Sequence, residues 1–371
     1  MKNIEIIIIS IIFMSIFLCC SKQSKISEDV IDLDNSVPVS VFDLFKSVDV
    51  IQLETNEECL IGPEIEVFFY NNRYYIFDRR QQGMFCFDDT GGYLFKIFRK
   101  GQGPEEYAYL GSCNIDHYNE RLMLLEPFGN LLLFDLDGNF ISKTKLPMEI
   151  VAYNEVFPFN KDTLLFISLN KYTLVFYDSK TNSIIDKKFE DEDKHNLLSP
   201  THMTYLYNNR IFFPIPLSNN ILNINDSSVF TWNFGNKNNS KKQILRVKKE
   251  IMEDRNLMPP RDYVQEGLIN YRVCLNYETP RYKICLLKFA NEVFKHVFFD
   301  KTLNKPFVFN QTKEGVWFLI PFFNEKSIIV TESSYKYKYY DESILTEQQR
   351  EIINKHDEYD NPILVKYNFK Q

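Results

Sequence analysis

Three observations predict that this chain folds as an all-β, six-bladed β-propeller with an inserted amphipathic helix and a short C-terminal helix. Strand-like runs of four to seven residues are separated by clusters of Asp, Asn and Gly. These runs recur with a period of about 40–50 residues, which is typical of propellers. Aromatic residues make up 15% of the chain, including 33 Phe and 22 Tyr, so a large buried core is expected.

The repeat is most visible in an aromatic residue followed by Asp. This pair occurs at Phe87–Asp88, Phe134–Asp135 and Tyr177–Asp178, with steps of 47 and 43 residues. A weaker fourth copy follows 47 residues later at Asn225. One blade alone cannot bury both of its apolar faces. Closing the units into a ring buries each face against a neighbouring blade.

The repeat is interrupted between about residues 240 and 270. Asp300 lies 75 residues after Asn225, so removing about 30 residues restores the period. Within this insertion, Lys241–Leu257 is charged, lacks turn residues and carries apolar residues at near-helical spacing. We therefore predict an inserted amphipathic helix. Its apolar stripe consists of Ile244, Val247 and Ile251.

Two more repeat units follow the insertion, at residues 282–309 and 316–340, and bring the count to six. The short C-terminal helix is predicted from Thr346 to about His356. Thr346 followed by Gln349 predicts a capping box at its start.

Two strands remain without a blade of their own. They are the early strand Val48–Leu53 and the terminal strand Ile363–Tyr367. We predict that both belong to one shared blade, which closes the ring by joining the two ends of the chain.

The N-terminus predicts export. Thirteen apolar or small residues, Ile6–Leu18, precede Cys19 and Cys20. A membrane-spanning helix needs about 20 such residues, whereas this stretch has the length of a secretory signal core. A cysteine followed by polar residues resembles a bacterial lipoprotein signal, in which cleavage exposes a cysteine for lipid attachment.

We predict a lipoprotein signal peptide at residues 1–19, lipidation at Cys20, a polar tether at residues 20–38 and the propeller at residues 39–371. Cys20 fits best because small Cys19 then occupies the cleavage position. The alternative is an ordinary signal peptide cleaved nearby, which leaves the protein exported but unanchored. The expected location is that of an outer-membrane or periplasm-facing lipoprotein.

Composition and charge exclude other classes. Asp and Glu number 50 against 43 Lys and Arg, and the formal net charge is -7. A general nucleic-acid binder needs a basic surface, so no nucleic-acid partner is expected. With 44% apolar residues, the chain as a whole is not a disordered one.

No metal, cofactor or catalytic group is predicted. The five cysteines outside the signal lack C-x-x-C spacing and fit neither a disulfide framework nor a zinc site, with a Cys274–Cys285 bridge left open. Asp135–Asn139 alternates oxygen ligands, but its glycine is fourth where an EF-hand loop needs it sixth. The histidines lack metal-binding spacing, although a propeller can assemble a site around its axis: His117, His195, His202, His296 and His356.

Several motifs resemble the six-bladed β-propeller lipoproteins that are abundant in Bacteroides and related bacteria, which are similar in appearance to NHL-repeat propellers. They are Asp78-Arg79-Arg80, the Phe87–Gly92 turn, the entry strand Ile51–Thr55, the Gly101–Tyr107 element and the ending Asn361–Val365. Glu105 departs from the family, which often has Gly there. The resemblance covers nearly the whole mature chain and implies the propeller fold. It implies no agreed activity.

Two segments supply candidate ligand-binding residues. Arg79 and Arg80 end a strand, where guanidinium groups can pair with a carboxylate or sulfate of a glycan or peptide. The alternative is ion pairs with nearby acidic side chains. The Gly101–Tyr107 element is not a phosphate loop, because Pro104 removes a donor and two glutamates repel phosphate. Its candidates are Gln102, Glu105, Glu106 and Tyr107. Here the alternative is an inter-blade loop with Tyr107 tucked under a neighbouring blade.

The sequence favours a lipid-anchored cell-envelope propeller that binds or scaffolds an envelope glycan, a peptide or a partner protein without catalysis. The rival class is a metal-dependent hydrolase or lyase of the NHL or lactonase type, with Asp, Glu, Asn or His from at least three blades near the channel. A third class is a structural subunit that docks through the apolar stripe of the inserted helix.

Overall fold

The computed structural model describes residues 25–26, 29–127, 129–148, 153–168, 172–190, 204–253, 262–318, 322–332 and 341–370. Their strands form six small antiparallel sheets that follow one another along the chain and are arranged as a six-bladed propeller. This confirms the predicted fold class. The signal peptide, Cys20, His195 and His202 lie outside the described residues.

Blades 1 to 3 each use four consecutive strands. Blade 1 consists of Ile65–Tyr70, Arg73–Asp78, Gly83–Asp88 and Tyr93–Ile97. Blade 2 consists of Ser112–Asp116, Arg121–Glu126, Asn130–Asp135 and Phe140–Lys145. Blade 3 consists of Tyr153–Pro158, Thr163–Ser168, Tyr172–Asp178 and Ser183–Glu190.

Blades 4 and 6 depart from this simple order, whereas blade 5 keeps it. Blade 4 consists of Tyr205–Tyr207, Arg210–Pro214, Asn220–Asn223 and Val229–Thr231, with the short strand Lys25–Ile26 added in parallel to the last of these. Blade 5 consists of Arg272–Glu278, Tyr282–Lys288, Phe294–Asp300 and Lys305–Phe309. Blade 6 consists of Phe322–Asn324, Ser327–Glu332, Ile363–Phe369 and the N-terminal strand Phe45–Gln52.

The two chain ends close the ring. Phe45–Gln52 pairs antiparallel with Ile363–Phe369, from the pair Phe45 and Phe369 to the pair Gln52 and Ile363. The predicted shared blade is therefore confirmed. Gln349 donates to the outward carbonyl oxygen of Val48 at 2.8 Å, so the exposed edge of the closing strand is partly satisfied by a side chain.

Strand burial explains why the repeats read as continuous apolar runs. The second and third strands of each blade are packed between neighbouring blades, and Arg73–Asp78 and Arg121–Glu126 are buried from their second residue onward. Fourth strands such as Phe140–Lys145 are largely solvent-facing. First strands of adjacent blades contact one another, which places them nearest the central channel.

Part of the segment predicted as a tether packs on the propeller instead. Ile31 and Leu33 are buried, and the Ile31 amide donates to the Asn233 carbonyl oxygen at 2.8 Å beyond blade 4. The Val37 amide bonds to the Val308 carbonyl oxygen at 2.9 Å in blade 5. These apolar side chains are isolated among polar residues, so the sequence alone gave no sign that they are buried.

Within the described ranges, three α-helices accompany the blades. Val41–Leu44 precedes the closing strand, Lys241–Glu253 lies in the insertion, and Glu347–Lys355 lies between the last two strands of the chain. The inserted and C-terminal helices agree with prediction, including the capping box between Thr346 and Gln349. Short 3-10 turns occupy Gly235–Lys237, Ala290–Glu292 and Glu342–Ile344.

The ring has two different ends. We call one the inter-blade face: it carries the loops from each blade to the next and the turns between second and third strands. We call the other the hairpin face: it carries the turns between first and second and between third and fourth strands. All candidate ligand-binding residues within the described part of the chain lie on the inter-blade face.

Candidate functional site on the inter-blade face

The two predicted arginines follow the second strand of blade 1. Arg79 forms an ion pair with Glu66 of the first strand, and its Nη1 donates to the Gly111 carbonyl oxygen at 3.5 Å. Arg80 is exposed and pairs through Nε with Glu64 at 3.1 Å. Both guanidinium groups therefore contact carboxylates of their own chain. Arg79 also connects blade 1 to the loop that enters blade 2.

The half-buried Arg79 ion pair lies close to the buried Cys113 between blades 1 and 2. Burial raises the pKa of the Glu66 carboxyl, although the nearby Arg79 guanidinium opposes this shift. Burial also raises the pKa of the Cys113 thiol well above its ordinary value. Cys113 is therefore a protonated, packed side chain, without the thiolate character that a nucleophile needs.

Tyr107 fastens the loop 98–111 to the core between blades 1 and 2. Its side chain is 0% exposed, and its hydroxyl donates to the Gln82 carbonyl oxygen at 2.5 Å. Its amide donates to the Arg99 carbonyl oxygen at 2.9 Å, and the Gly101 amide donates to the Tyr107 carbonyl oxygen at 3.0 Å. Tyr107 thus lies under a neighbouring blade, in the position that the alternative interpretation described.

The glycines of this loop make room for a carboxylate of the chain itself. Glu106 accepts from the Gly103 amide at 2.8 Å. A Cβ atom on Gly101 would lie 1.9 Å from Glu106 Oε2, far inside contact distance. The Glu106 carbonyl oxygen accepts from Lys143 Nζ of blade 2 at 2.5 Å. Glu106 therefore stabilises the loop and its attachment to blade 2.

Gln82 is the centre of this network, and the sequence did not indicate it. Its Oε1 accepts from the Leu110 amide at 2.5 Å, and its Nε2 donates to the Arg79 carbonyl oxygen. Its backbone carbonyl oxygen also accepts a hydrogen bond from the Tyr107 hydroxyl. Its φ of 62° is left-handed, which glutamine rarely adopts. No local motif marks it, because two of its partners, Tyr107 and Leu110, lie in the loop 98–111, far from it in sequence.

An open groove of about 390 Å³ remains on the outer side of the loop. Its lining residues are Phe98, Arg99, Lys100, Glu105 and Glu106. Within this groove Glu105 forms an ion pair with Arg99, and Lys100 Nζ lies 5.8 Å from the Phe98 ring centroid. Aromatic and cationic groups side by side can bind a ligand that combines an apolar part with a carboxylate or sulfate.

Exposed apolar side chains are concentrated on the loops of the same face. Phe98 and Tyr109 border one inter-blade connection, and Trp317, 51% exposed, lies on another between blades 5 and 6. Leu60 and Met148 add exposed apolar area on two further connections. Such residues mark interaction surfaces when they accumulate on one side of a protein. Gln102 and Glu105 supply exposed polar groups beside them.

The hairpin face has a different character. The Tyr118 hydroxyl of blade 2 donates to the Asn209 carbonyl oxygen of blade 4 at 3.5 Å. The Asn208 amide of blade 4 donates to Glu325 Oε1 of blade 6 at 2.8 Å. Asn208 and Asn209 both have positive φ, the conformation of a two-residue type I′ hairpin turn. These contacts join three alternate blades across the axis and constrict the channel at this end.

His296 and the cysteines of the body have structural surroundings. His296 is buried against Phe309 with ring centroids 5.0 Å apart, and burial lowers its pKa to about 4. The five cysteines of the body are free thiols, so the alternative of a bridge between Cys274 and Cys285 was wrong. Among the residues that the structure describes, no three His, Cys, Asp or Glu side chains are grouped as metal ligands would be. Asp135 caps its own turn, accepting from the Asp137 and Asn139 amides.

Comparison with known proteins places this architecture in a family. Residues 28–368 match the family described as a domain of unknown function, DUF4934. The chain belongs to the DUF4934 family. The match spans all six blades and includes the inserted helix, so these features belong to one unit.

Two solved structures from Bacteroides resemble this DUF4934 chain. One, from Bacteroides fragilis NCTC 9343, is named as an exported protein; it is 18% identical, covers 91% of this chain and 98% of its own, and has a TM-score of 0.71. The other, a member of the DUF4221 family from Bacteroides vulgatus, is 11% identical, covers 87% of this chain and 98% of its own, and has a TM-score of 0.52. At these identities the likeness establishes the fold alone.

No protein with a curated description matches the chain. Within the described ranges, none of the helices has the length and apolar character needed to cross a membrane.

Proposed function

We propose that this DUF4934 protein is a lipid-anchored, non-catalytic binding protein of the cell envelope. It would bind an envelope glycan, a peptide or a partner protein at the inter-blade face. The observation that carries the proposal is the asymmetry of the ring. Exposed aromatic, apolar and cationic groups border a groove at one end, whereas turns from three blades constrict the other.

The internal hydrogen bonds of the loop 98–111 support this role. Tyr107, Glu106 and Gln82 form hydrogen bonds within the protein, and these bonds fix the backbone that carries the exposed side chains. A binding site gains affinity when its groups are ordered before the ligand arrives, because less conformational entropy is lost. Of the predicted ligand-binding residues, Gln102, Glu105 and Arg80 retain solvent exposure for contact.

The binding proposal is tested with residues 21–371 on arrays of envelope glycans and of peptides. Phe98→Ala combined with Tyr109→Ala should weaken binding to any captured class by at least about ten-fold, since buried aromatic anchors dominate such interfaces. The matched control is Leu94→Ala with Leu303→Ala, which removes comparably exposed apolar side chains outside this face. Equal weakening by both pairs, or by neither, would contradict the proposed site.

The lipid anchor is tested separately in the producing cell. Wild-type protein should incorporate labelled fatty acid, and Cys20→Ala should abolish incorporation. Incorporation that survives in Cys20→Ala, or that is absent in wild type, would contradict the anchor while leaving the binding face untouched.

A further inference from the structure

The inserted helix carries a cationic face that the binding site does not use. Its exposed residues are Lys241, Lys242, Leu245, Arg246 and Lys249. Positions one, two, five, six and nine of a helix form one continuous stripe, because four residues make slightly more than one turn. This stripe therefore presents four positive side chains around Leu245, which is 55% exposed. One of them, Arg246, also pairs through Nε with Glu250 at 3.1 Å.

The opposite side of the helix is packed on the protein itself. Val247 is fully buried in a small cluster with Val264, Leu268 and Ile269. The apolar stripe predicted as a docking element thus contributes Val247 to the core, so Val247 is not exposed for docking. The surface left for contact is the cationic one.

Local hydrogen bonds hold the start of this helix in place. Ser240 accepts from the Gln243 amide and its own amide donates to Gln243 Oε1, which forms a capping box. The Asn239 side chain bonds to the Asn270 amide at 2.8 Å and to the Tyr271 carbonyl oxygen at 2.9 Å, just before blade 5. The cationic face is therefore fixed relative to the blades.

The charge of the helix is opposite to that of the molecule. Residues 241–253 contain five Lys or Arg and two Glu, whereas the whole chain has a net charge of -7. An anionic surface repels the chain as a whole but attracts this face. A flat anionic surface also suits the exposed Leu245, which can enter the interfacial region of a bilayer between basic neighbours.

The N-terminal segment enters the fold close to the segment that leads into this helix. Lys25–Ile26 pairs with Phe230 and Thr231, and Asp34 forms an ion pair with Lys237 at 2.8 Å, four residues before Lys241. Lys25 lies five residues after Cys20, a span of at most about 18 Å. A lipid on Cys20 therefore keeps the rim of blade 4 near the membrane.

We infer that the exposed face of the inserted helix docks on an anionic phospholipid surface and, with the lipid on Cys20, orients the propeller on its membrane. The inference rests on the proposed lipid anchor for its role in the cell. The docking itself needs no lipid on the protein. The lipid anchors the protein, and the basic face adds an electrostatic attraction that sets its orientation.

The test is cosedimentation of residues 21–371 with two kinds of vesicle. One is phosphatidylcholine alone, and the other contains about 30% of the anionic lipid phosphatidylglycerol. Wild-type protein should bind the anionic vesicles only, and less at high salt. Charge reversal at Lys242, Arg246 and Lys249 to Glu should lower this binding by at least about ten-fold. The matched control reverses exposed lysines on other blades with the same change in net charge: Lys145, Lys305 and Lys326.

The control should bind within about two-fold of wild type, and circular dichroism should show that all variants are folded. Equal losses in both variants would mean that net charge alone matters and would overturn the inference. Wild-type protein that does not bind anionic vesicles would also overturn the inference. In that case, loss of binding to a defined protein partner in the helix variant would assign the face to protein docking. Because the protein tested has no lipid, these outcomes are independent of fatty-acid labelling at Cys20.

Discussion

At the scale of single residues, several buried polar side chains of this protein hydrogen-bond to backbone groups of other segments. Gln82, Glu126 and Asn361 each bridge segments that are distant in sequence. Glu126, for example, accepts from the Ala108 amide at 2.7 Å and from Asn130 Nδ2 at 2.6 Å. Such groups cost stability when they lose a partner, because water cannot replace the missing bond. They explain how short blades are joined without disulfides.

His296 makes stability depend on pH. Burial lowers its pKa to about 4, from 6.5, so the folded protein keeps it neutral where the unfolded chain is protonated. Its contribution is fully present above pH 6.5 and is lost as the pH falls towards 4, by about 3 kcal/mol. Urea unfolding of wild type and His296→Asn at several pH values measures this. The variant should lack this part of the acid dependence, and parallel curves would contradict the assignment.

At the scale of elements, specific side-chain hydrogen bonds fix the loops that connect the blades. The loop 98–111 is fixed by Tyr107 and Glu106, and the loop 53–64 is fixed by Asn361. Asn361 is 0% exposed; its Oδ1 accepts from the Ile61 amide at 2.8 Å, and its Nδ2 donates to the Cys59 carbonyl oxygen at 2.9 Å. This side chain couples the last strand of the chain to the entry into blade 1.

Asn361→Ala should destabilise the fold by about 2–4 kcal/mol, because it leaves buried backbone donors and acceptors without partners. The control is Asn139→Ala, which removes an exposed bond to Asp135 and should cost less than about 1 kcal/mol. Chemical denaturation measures both. Similar small losses for the two variants would show that the Asn361 network contributes little.

At the scale of the whole molecule, stability depends on closing the ring. The third strand of blade 6, Ile363–Phe369, lies between the second strand and the N-terminal strand and pairs with both. Its residues Ile363, Leu364 and Val365 are fully buried. Without it, the N-terminal strand loses its partner, the second strand loses one of its two, and the apolar faces of blades 1 and 5 lose their neighbour.

Deleting residues 362–371 should therefore abolish the cooperative thermal transition. A synthetic peptide of residues 361–371 added to the truncated chain should restore it, since the peptide can take the vacant central position. A scrambled peptide of the same composition is the control. A truncated chain that melts like wild type without peptide would contradict closure by this strand.

The blades, their number and both longer helices could be predicted from the sequence, because they rest on local patterns. The aromatic–Asp pairs mark successive turns, and Thr346 with Gln349 marks a helix start through neighbours in the chain. The glycines of the loop 98–111 were also noticed. Their purpose was not evident, since the carboxylate they accommodate, on Glu106, turns back on the loop only in the folded state.

The fold class follows from the amino-acid pattern alone, because a period of about 40–50 residues with several strands per unit can bury its apolar faces in few ways. Which candidate residues face solvent and which hold the ring together depends on contacts between distant segments. Arg79 and Tyr107 were attractive as ligand contacts, yet Glu66 and Gln82, their partners, lie on other strands and turns. The same holds for Val247, which points inward, and Leu245, which points outward, since the side of an inserted helix that is buried depends on the blades beneath it.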